Sequence, residues 1–359
     1  MHRNLGSFLD QLRRSGDLVE VDAPVDPRLE VAEIHRRVIA GGGPAILFRN
    51  PIGSQFPLVT NLFGTQRRVE MAFGDHGQKF LRRLVHLAET MMPPTLDKLW
   101  GARDVASTLL KVGMKRRSGG AVLEHQDPQL DLKDLPIITS WSEDGGPFIT
   151  LPLVYTEHPV DGRHNLGMYR MQRHDSSHLG LHFQIHKGSG YHLMEAERLQ
   201  KPLPVTCFLG GPPALIASAV APLPENIGEL LLASLLQGGP IRLSEVPGQP
   251  LPFISECEFA IHGTSIPGQR WPEGPFGDHY GYYSLKHDYP VMKVKGITHR
   301  QGAIYPATVV GKPRQEDFFL GDFLQDLLSP LFPLVMPTVR DLWSYGETGY
   351  HSLGAAIVT

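Results

Sequence analysis

Apolar residues near the start of the chain recur at Leu5, Phe8, Leu9 and Leu12, the three-and-four spacing that lines one face of an α-helix. The same period returns from Arg28 to Ile39, where Gly41, Gly42 and Gly43 stop it. It returns again from Val69 to Thr90, closed by Pro93 and Pro94. Between the first two blocks and the third, Ala45 to Asn50 (AILFRN) is a continuous apolar run ended by Pro51, which fits a buried strand. Basic Lys115 to Arg117, followed by Gly119 and Gly120, predicts an exposed connection. Residues 1–115 are therefore expected to form an N-terminal α/β domain.

Over residues 116–315 the period shortens. Alternating runs such as FITLPLVYTEHP and YPVMKVKGITHR sit between closely spaced Gly and Pro, the mark of short strands in a barrel or sandwich. One helix, Ile227 to Leu236, interrupts them after APLPEN, and residues 316–359 turn helical again with FFLGDFLQDLLSPLFPLVMP. The apolar run Phe318 to Met336 reads as a packed linker helix or a contact between subunits in preference to a pocket lining, since apolar runs are usually core.

Composition narrows the function classes. The 359 residues carry 34 basic and 37 acidic side chains, a formal charge of −3, which disfavours a nucleic-acid partner. Cys207 and Cys257 are the only cysteines and form no CxxC, so a disulfide framework or zinc cluster is not expected; the reading is a reducing, cytoplasmic compartment. The start of the chain lacks the apolar core of a signal peptide. The longest apolar stretch, Val205 to Ala221, is interrupted by Gly210, Gly211, Pro212 and Pro213, so no membrane span is expected, while peripheral association stays open.

Four segments could carry chemistry. In NLGMYRMQRHD, Asn165 offers an amide oxygen and Arg170 a guanidinium suited to a two-point carboxylate grip; a surface ion pair is the plainer alternative. In HLGLHFQIHKGSG, His178, His182 and His186 share one face, with Leu179, Leu181, Phe183 and Ile185 on the other parity, which favours a strand. Three aligned histidines invite a zinc reading without the Glu of HExxH; a more modest one uses a single His as ligand, with Lys187, Gly188 and Gly190 meeting an anion. In APLPENIGE, Glu229 could complete an oxygen-rich site with Asn165 and His186, a donor set suited to Mn²⁺ or Mg²⁺, or be a solvated helix residue. In WPEGPFGDHYGYY, Glu273 and Asp278 could divide acid and base roles if their surroundings differ, or be two exposed acids on a Gly-Pro turn. No GxGxxG, Walker A, or GxSxG pattern occurs.

In this order and spacing the four segments, with SFLDQLRRSGDLVEVDAPVDPRLEVAEIHRRV and GGGPAILFRNP before them, resemble the UbiD-type decarboxylases that use prenylated FMN, over nearly the whole chain. The resemblance implies an α+β fold: an N-terminal α/β segment, a central split β-barrel that binds the flavin, and a linker helix leading to a C-terminal oligomerisation domain. It implies Asn165, His186 and Glu229 as ligands of Mn²⁺ or Mg²⁺, with K⁺ as a further candidate ion. It implies Met168, Tyr169, Arg170, His182, Phe183, Gln184, Lys187 and Gly188 as cofactor contacts, and Arg170, Glu273 and Asp278 as the catalytic set. Asp278 stands where some members carry Glu, and the chain ends at GYHSLGAAIVT, where relatives run on through a strand bearing a phosphate-binding lysine.

The activity so implied is reversible, non-oxidative decarboxylation of an aromatic or α,β-unsaturated acid, with a hydroxyaryl acid of ubiquinone or menaquinone biosynthesis as the expected substrate. The implied partners are that small aromatic acid, a flavin prenyltransferase as cofactor supplier, and further copies of the chain in a homo-oligomer. Two rivals belong to other classes: a metallohydrolase built on the spaced histidines, and a non-catalytic flavin-binding or assembly subunit.

Overall fold

The computed structural model describes residues 2–90, 100–185, 187–223, 227–350 and 352–359. Pro93, Pro94 and His186 therefore lie outside the described residues. The first helix, Leu5–Ser15, buries Leu5, Phe8, Leu9 and Leu12 as its spacing predicts; the Asn4 side chain caps it by accepting the Ser7 N–H, and Gly16 ends it in the left-handed region. Helix Glu30–Ala40 matches the second block. The third block is not one helix but two, Gln66–Phe73 and His76–Thr90, because Gly74 leaves helical geometry between them. Strands Leu18–Val25, Ala45–Pro51, Leu58–Thr60 and Tyr305–Pro306 form a four-stranded sheet, so a strand from beyond residue 300 completes the N-terminal layer.

Lys115 to Arg117 is not a connection. It lies in the exposed strand Met114–Ser118, paired in parallel with Ile241–Glu245. Its charges are those of an edge strand, held by backbone pairing that side-chain pattern does not report.

The centre of the molecule is a six-stranded antiparallel sheet in the order His164–Gly167, Leu153–Glu157, Leu203–Leu209, Phe259–Glu273, His287–His299, His178–Gly180. Successive side chains point to opposite faces, so Val205, Cys207 and Leu209 enter one apolar core and Phe208 the other. Burying side chains of this size contributes about 1.5–3 kcal/mol each, enough to lock the sheet between two layers. Both cysteines are free and buried. Among the described residues the sheet's two edges are not paired with each other, so no closed barrel forms. Past the first edge strand, Met171–Gln172 pairs with Phe148–Ile149, and Arg173 makes a single antiparallel bridge to Leu179 of the other edge strand.

Helix Glu316–Leu328 packs Leu320, Leu324, Leu327 and Leu328 into the first core, as a packed helix and not a pocket lining. The helical expectation fails after residue 338, where Val339–Ser344 and Gly354–Val358 form an antiparallel β-hairpin with no clear apolar alternation to mark it. Glu316, 1% exposed, accepts the Phe63 N–H at 2.7 Å and the Thr308 hydroxyl at 2.5 Å, tying this helix to the N-terminal layer. Glu316→Ala leaves the Phe63 N–H buried without an acceptor and the Thr308 hydroxyl with only the Val309 carbonyl at 3.4 Å, and is expected to lower unfolding free energy by about 1–3 kcal/mol, read from a urea titration. No helix among the described residues is long and apolar enough to cross a membrane.

Candidate functional site

The long strand Phe259–Glu273 ends on Glu273, whose side chain is buried with no exposed surface. Two side chains converge on its Oε1: Arg170 Nε donates at 3.1 Å and His182 Nδ1 at 2.8 Å. A carboxylate acceptor requires His182 to carry its proton on Nδ1. Arg170 follows the edge strand His164–Gly167, and His182 follows the opposite edge strand His178–Gly180, so the curled sheet brings both edges to one acid. The guanidinium carbon of Arg170 stands 4.4 Å from the Phe276 ring centre, and the His182 ring 4.3 Å from that of Tyr289. Glu273 Oε2 is buried with no hydrogen-bond partner among the described residues.

The turn after Glu273 is pinned from behind. Gly274 N–H donates to Gln172 Oε1 at 2.8 Å, Gln172 Nε2 donates to the Gly145 carbonyl at 2.8 Å, and Gly145 N–H donates to the Pro275 carbonyl at 2.8 Å. Gly277 N–H donates to Asp144 Oδ1 at 2.8 Å, and a β-carbon at Gly277 would lie 2.2 Å from the Trp141 ring, so only glycine lets the turn close on that ring. Asp278 follows at once, with its side chain 31% exposed. Burial pushes its carboxyl up, but the hydrogen bonds and charge of His279, together with Arg170, outweigh that and hold it below the ordinary carboxylate value.

A second group lies along the same edge strand. Glu229, the first residue of helix Glu229–Gln237, accepts the Leu166 N–H at 3.1 Å, one residue along from Asn165. Burial raises the Glu229 carboxyl, and among the described residues no cation is paired with it. Asn165 Nδ2 donates to Ser189 Oγ at 2.9 Å and Tyr169 Oη at 3.3 Å, which leaves Oδ1 as the amide's outward acceptor. A β-carbon on Gly188 would lie 1.9 Å from that Oδ1, so the start of helix Gly188–Arg198 approaches it as only glycine can. A buried carboxylate that bonds the residue next to Asn165, together with the Asn165 carbonyl oxygen, is the oxygen donor chemistry that a hard divalent ion takes. His186, the third expected ligand, lies outside the described residues.

Between the two groups, Tyr169 packs edge-on against Phe183 at 5.1 Å, while Met168 packs on the first core and its N–H donates to the Ala219 carbonyl. Gln184 and Lys187 are exposed. The expected strand through all three histidines does not form: it stops at Gly180, with His178 turned to Asp175 at 2.9 Å and His182 to Glu273. Among the described residues no three His, Cys, Asp or Glu side chains are placed to hold a metal. Sequence reasoning missed Gln172, Asp144, Trp141 and Tyr289, each of which acts on a site residue distant in sequence and carries no local motif.

A family model described as the 3-octaprenyl-4-hydroxybenzoate carboxy-lyase Rift-related domain matches residues 114–313, and the carboxy-lyase N-terminal domain model matches residues 9–88. An uncharacterised protein of Chlamydia trachomatis is 53% identical over 99% of this chain and 61% of its own length. A Chlamydia pneumoniae protein, named as one of the subunits of a 4-hydroxybenzoate decarboxylase, is 52% identical over 99% of this chain and 60% of its own length. The chain thus spans about three fifths of the length of these relatives. The evolved dimeric form of the UbiD-class enzyme HmfF from Pelotomaculum thermopropionicum, solved with prFMN, superposes with a TM-score of 0.83 at 25% identity, covering 99% of this chain and 79% of that one. The closed form of Sedimentibacter hydroxybenzoicus vanillic acid decarboxylase shares the fold, with a TM-score of 0.82 at 24% identity, covering 97% and 73%.

Proposed function

The chain belongs to the UbiD carboxy-lyase family, and from that premise we propose that it carries the active site of a decarboxylase acting on an aromatic carboxylic acid with prenylated FMN. The observation that carries the reading is the setting of Arg170. Glu273 holds its Nε, Phe276 supports its face, and among the described residues both terminal nitrogens are left for a two-point grip on a substrate carboxylate.

Asn165 and Glu229 would hold a divalent ion, Mn²⁺ or Mg²⁺, with His186 as the expected third ligand, and the ion would supply positive charge for an anionic cofactor. Met168, Tyr169, His182, Phe183, Gln184, Lys187 and Gly188 would border the cofactor. When bound, prenylated FMN supplies the electron sink that loss of CO₂ from an sp² carbon requires and no side chain provides. The protein does the rest. Arg170 orients the carboxylate, Glu273 and Phe276 fix Arg170, and Asp278 supplies the proton that replaces CO₂. The substrate we propose is a hydroxyaryl acid, in line with the name of the Chlamydia pneumoniae relative; a place in quinone biosynthesis extends that reading. A flavin prenyltransferase would supply the cofactor, and copies of the chain would assemble as a homo-oligomer.

The test is CO₂ release from 4-hydroxybenzoate and its ring-substituted relatives, with deuterium incorporation at the vacated carbon in D₂O. Ester or amide hydrolysis with no CO₂ release would favour a hydrolase instead. Glu229→Ala is expected to remove the divalent ion and weaken flavin retention at least about tenfold, by analogy with lost ligand-shell contacts, read by metal analysis and equilibrium dialysis. Unchanged retention would remove Glu229 from the ion site.

A further inference from the structure

We infer that His279, with Asp317 facing it, controls the proton on Asp278 and resupplies it. This inference rests on the decarboxylase reading above. Asp278 Oδ1 is bonded twice by the next residue, through the His279 backbone N–H at 2.5 Å and through ring Nδ1. The two side chains are 31% and 29% exposed, so the pair bridges the buried site and solvent. The Nε2 edge of the imidazole lies against Gly349, and Tyr280 packs on its ring at 4.3 Å. Helix Glu316–Leu328 brings Asp317, whose Oδ1 is buried without a hydrogen-bond partner among the described residues and whose charge acts on the same imidazole.

The charges facing His279 come from every side. Asp278 belongs to its own segment, Asp317 to the helix, and Arg170 to the opposite wall, while Lys312 lies over Gly281 and Glu347 pairs with Arg314. The Asp278 hydrogen bond and the two carboxylate charges raise the imidazole above its ordinary value, against burial and Arg170. Asp278 moves the opposite way, as described above, and burial pushes the Asp317 carboxyl up. His279 Nδ1 and Asp278 Oδ1 are placed to share one proton.

The step balances simply. The proton passes from His279 Nδ1 to Asp278 Oδ1, leaving neutral imidazole and a carboxylic acid. Asp278 gives that proton to the ring carbon, which keeps the bonding pair of the broken carbon–carboxyl bond as CO₂ leaves. The neutral imidazole then takes a proton from water and restores the starting pair. His279 is thus a positioning and resupply residue, and Asp278 alone meets the reacting carbon.

The direct test is a pH titration of the His279 ring by NMR in the full chain, which needs no turnover and so separates this inference from the decarboxylase reading. The midpoint is expected above the ordinary 6.5 and to fall in both Asp278→Asn and Asp317→Asn. A midpoint at or below 6.5 that neither substitution moves overturns it. In the flavin-loaded enzyme, the alkaline limb of the kcat profile should follow the same titration. His279→Asn should move that limb down by about one pH unit or more, toward carboxylate acidity. A lower kcat with the limb unmoved marks a purely structural role and also overturns it.

Discussion

Asp278→Asn is expected to lower kcat by about 10²–10⁴-fold, the usual contribution of a placed general acid, while leaving flavin content unchanged. The amide keeps the shape of the side chain and an acceptor for the His279 N–H, but it has no proton to give at carboxylic acidity. Its position on a turn pinned by Gln172, Asp144 and Trp141 does not depend on the side chain's charge, so the fold should survive. The wild-type sign of the pH dependence follows from the same contacts. His279 and Arg170 are what hold Asp278 below its ordinary value, against burial, which pushes it up. The shared proton with His279 is what keeps it able to donate. Single-turnover decarboxylation with flavin absorbance in parallel checks the prediction. A variant retaining more than about a tenth of wild-type kcat would remove Asp278 from the proton-donor role.

Arg170→Ala should cost both activity and stability. Glu273 has no exposed side-chain surface, and removing the guanidinium leaves its buried carboxylate with His182 as its remaining partner. Breaking a buried pair by deleting one member costs about 3–5 kcal/mol, and the open Nη groups that would grip the substrate are lost with it. Arg170→Lys keeps a charge but not the fork, so it should recover stability more than kcat/KM. The decisive comparison is Glu273→Gln on top of Arg170→Ala. The double variant should be more stable than Arg170→Ala alone, because the orphaned charge is gone. If urea titration instead finds the two losses adding, the pair is not the coupled unit described here.

Much of this was legible in the sequence, for reasons that differ by region. Leu5–Ser15 and Glu30–Ala40 were readable because an amphipathic period of 3.6 and a glycine stop act within one turn. The split at Gly74 and the hairpin after residue 338 were not, since one glycine in a helical pattern is ambiguous locally and the hairpin's exposed strands lack an apolar alternation. Met114–Ser118 was lost because an exposed edge strand has no hydrophobic signal, only a ladder partner more than a hundred residues away. At the site, Arg170, Glu273, Asp278, Asn165 and Glu229 stood out through their motif and its family resemblance. Their pairing needed the fold: Arg170 and Glu273 are 103 positions apart and meet only because the sheet curls. His279 was visible beside Asp278, but its meaning depends on Asp317, which no local pattern links to it. Of the three spaced histidines, His178 and His182 turn to different acids, because the strand that would align them ends at Gly180.

The central claim is that this chain builds a prenylated-FMN site, and one measurement tests it most directly. The protein, co-expressed with a flavin prenyltransferase and purified in the dark, is examined by absorbance and by mass spectrometry of the released cofactor. The account predicts a flavin of prenylated mass together with a divalent metal, with the metal lost and the flavin retained more weakly in Glu229→Ala. Unmodified FMN alone, or zinc with no flavin, would contradict it.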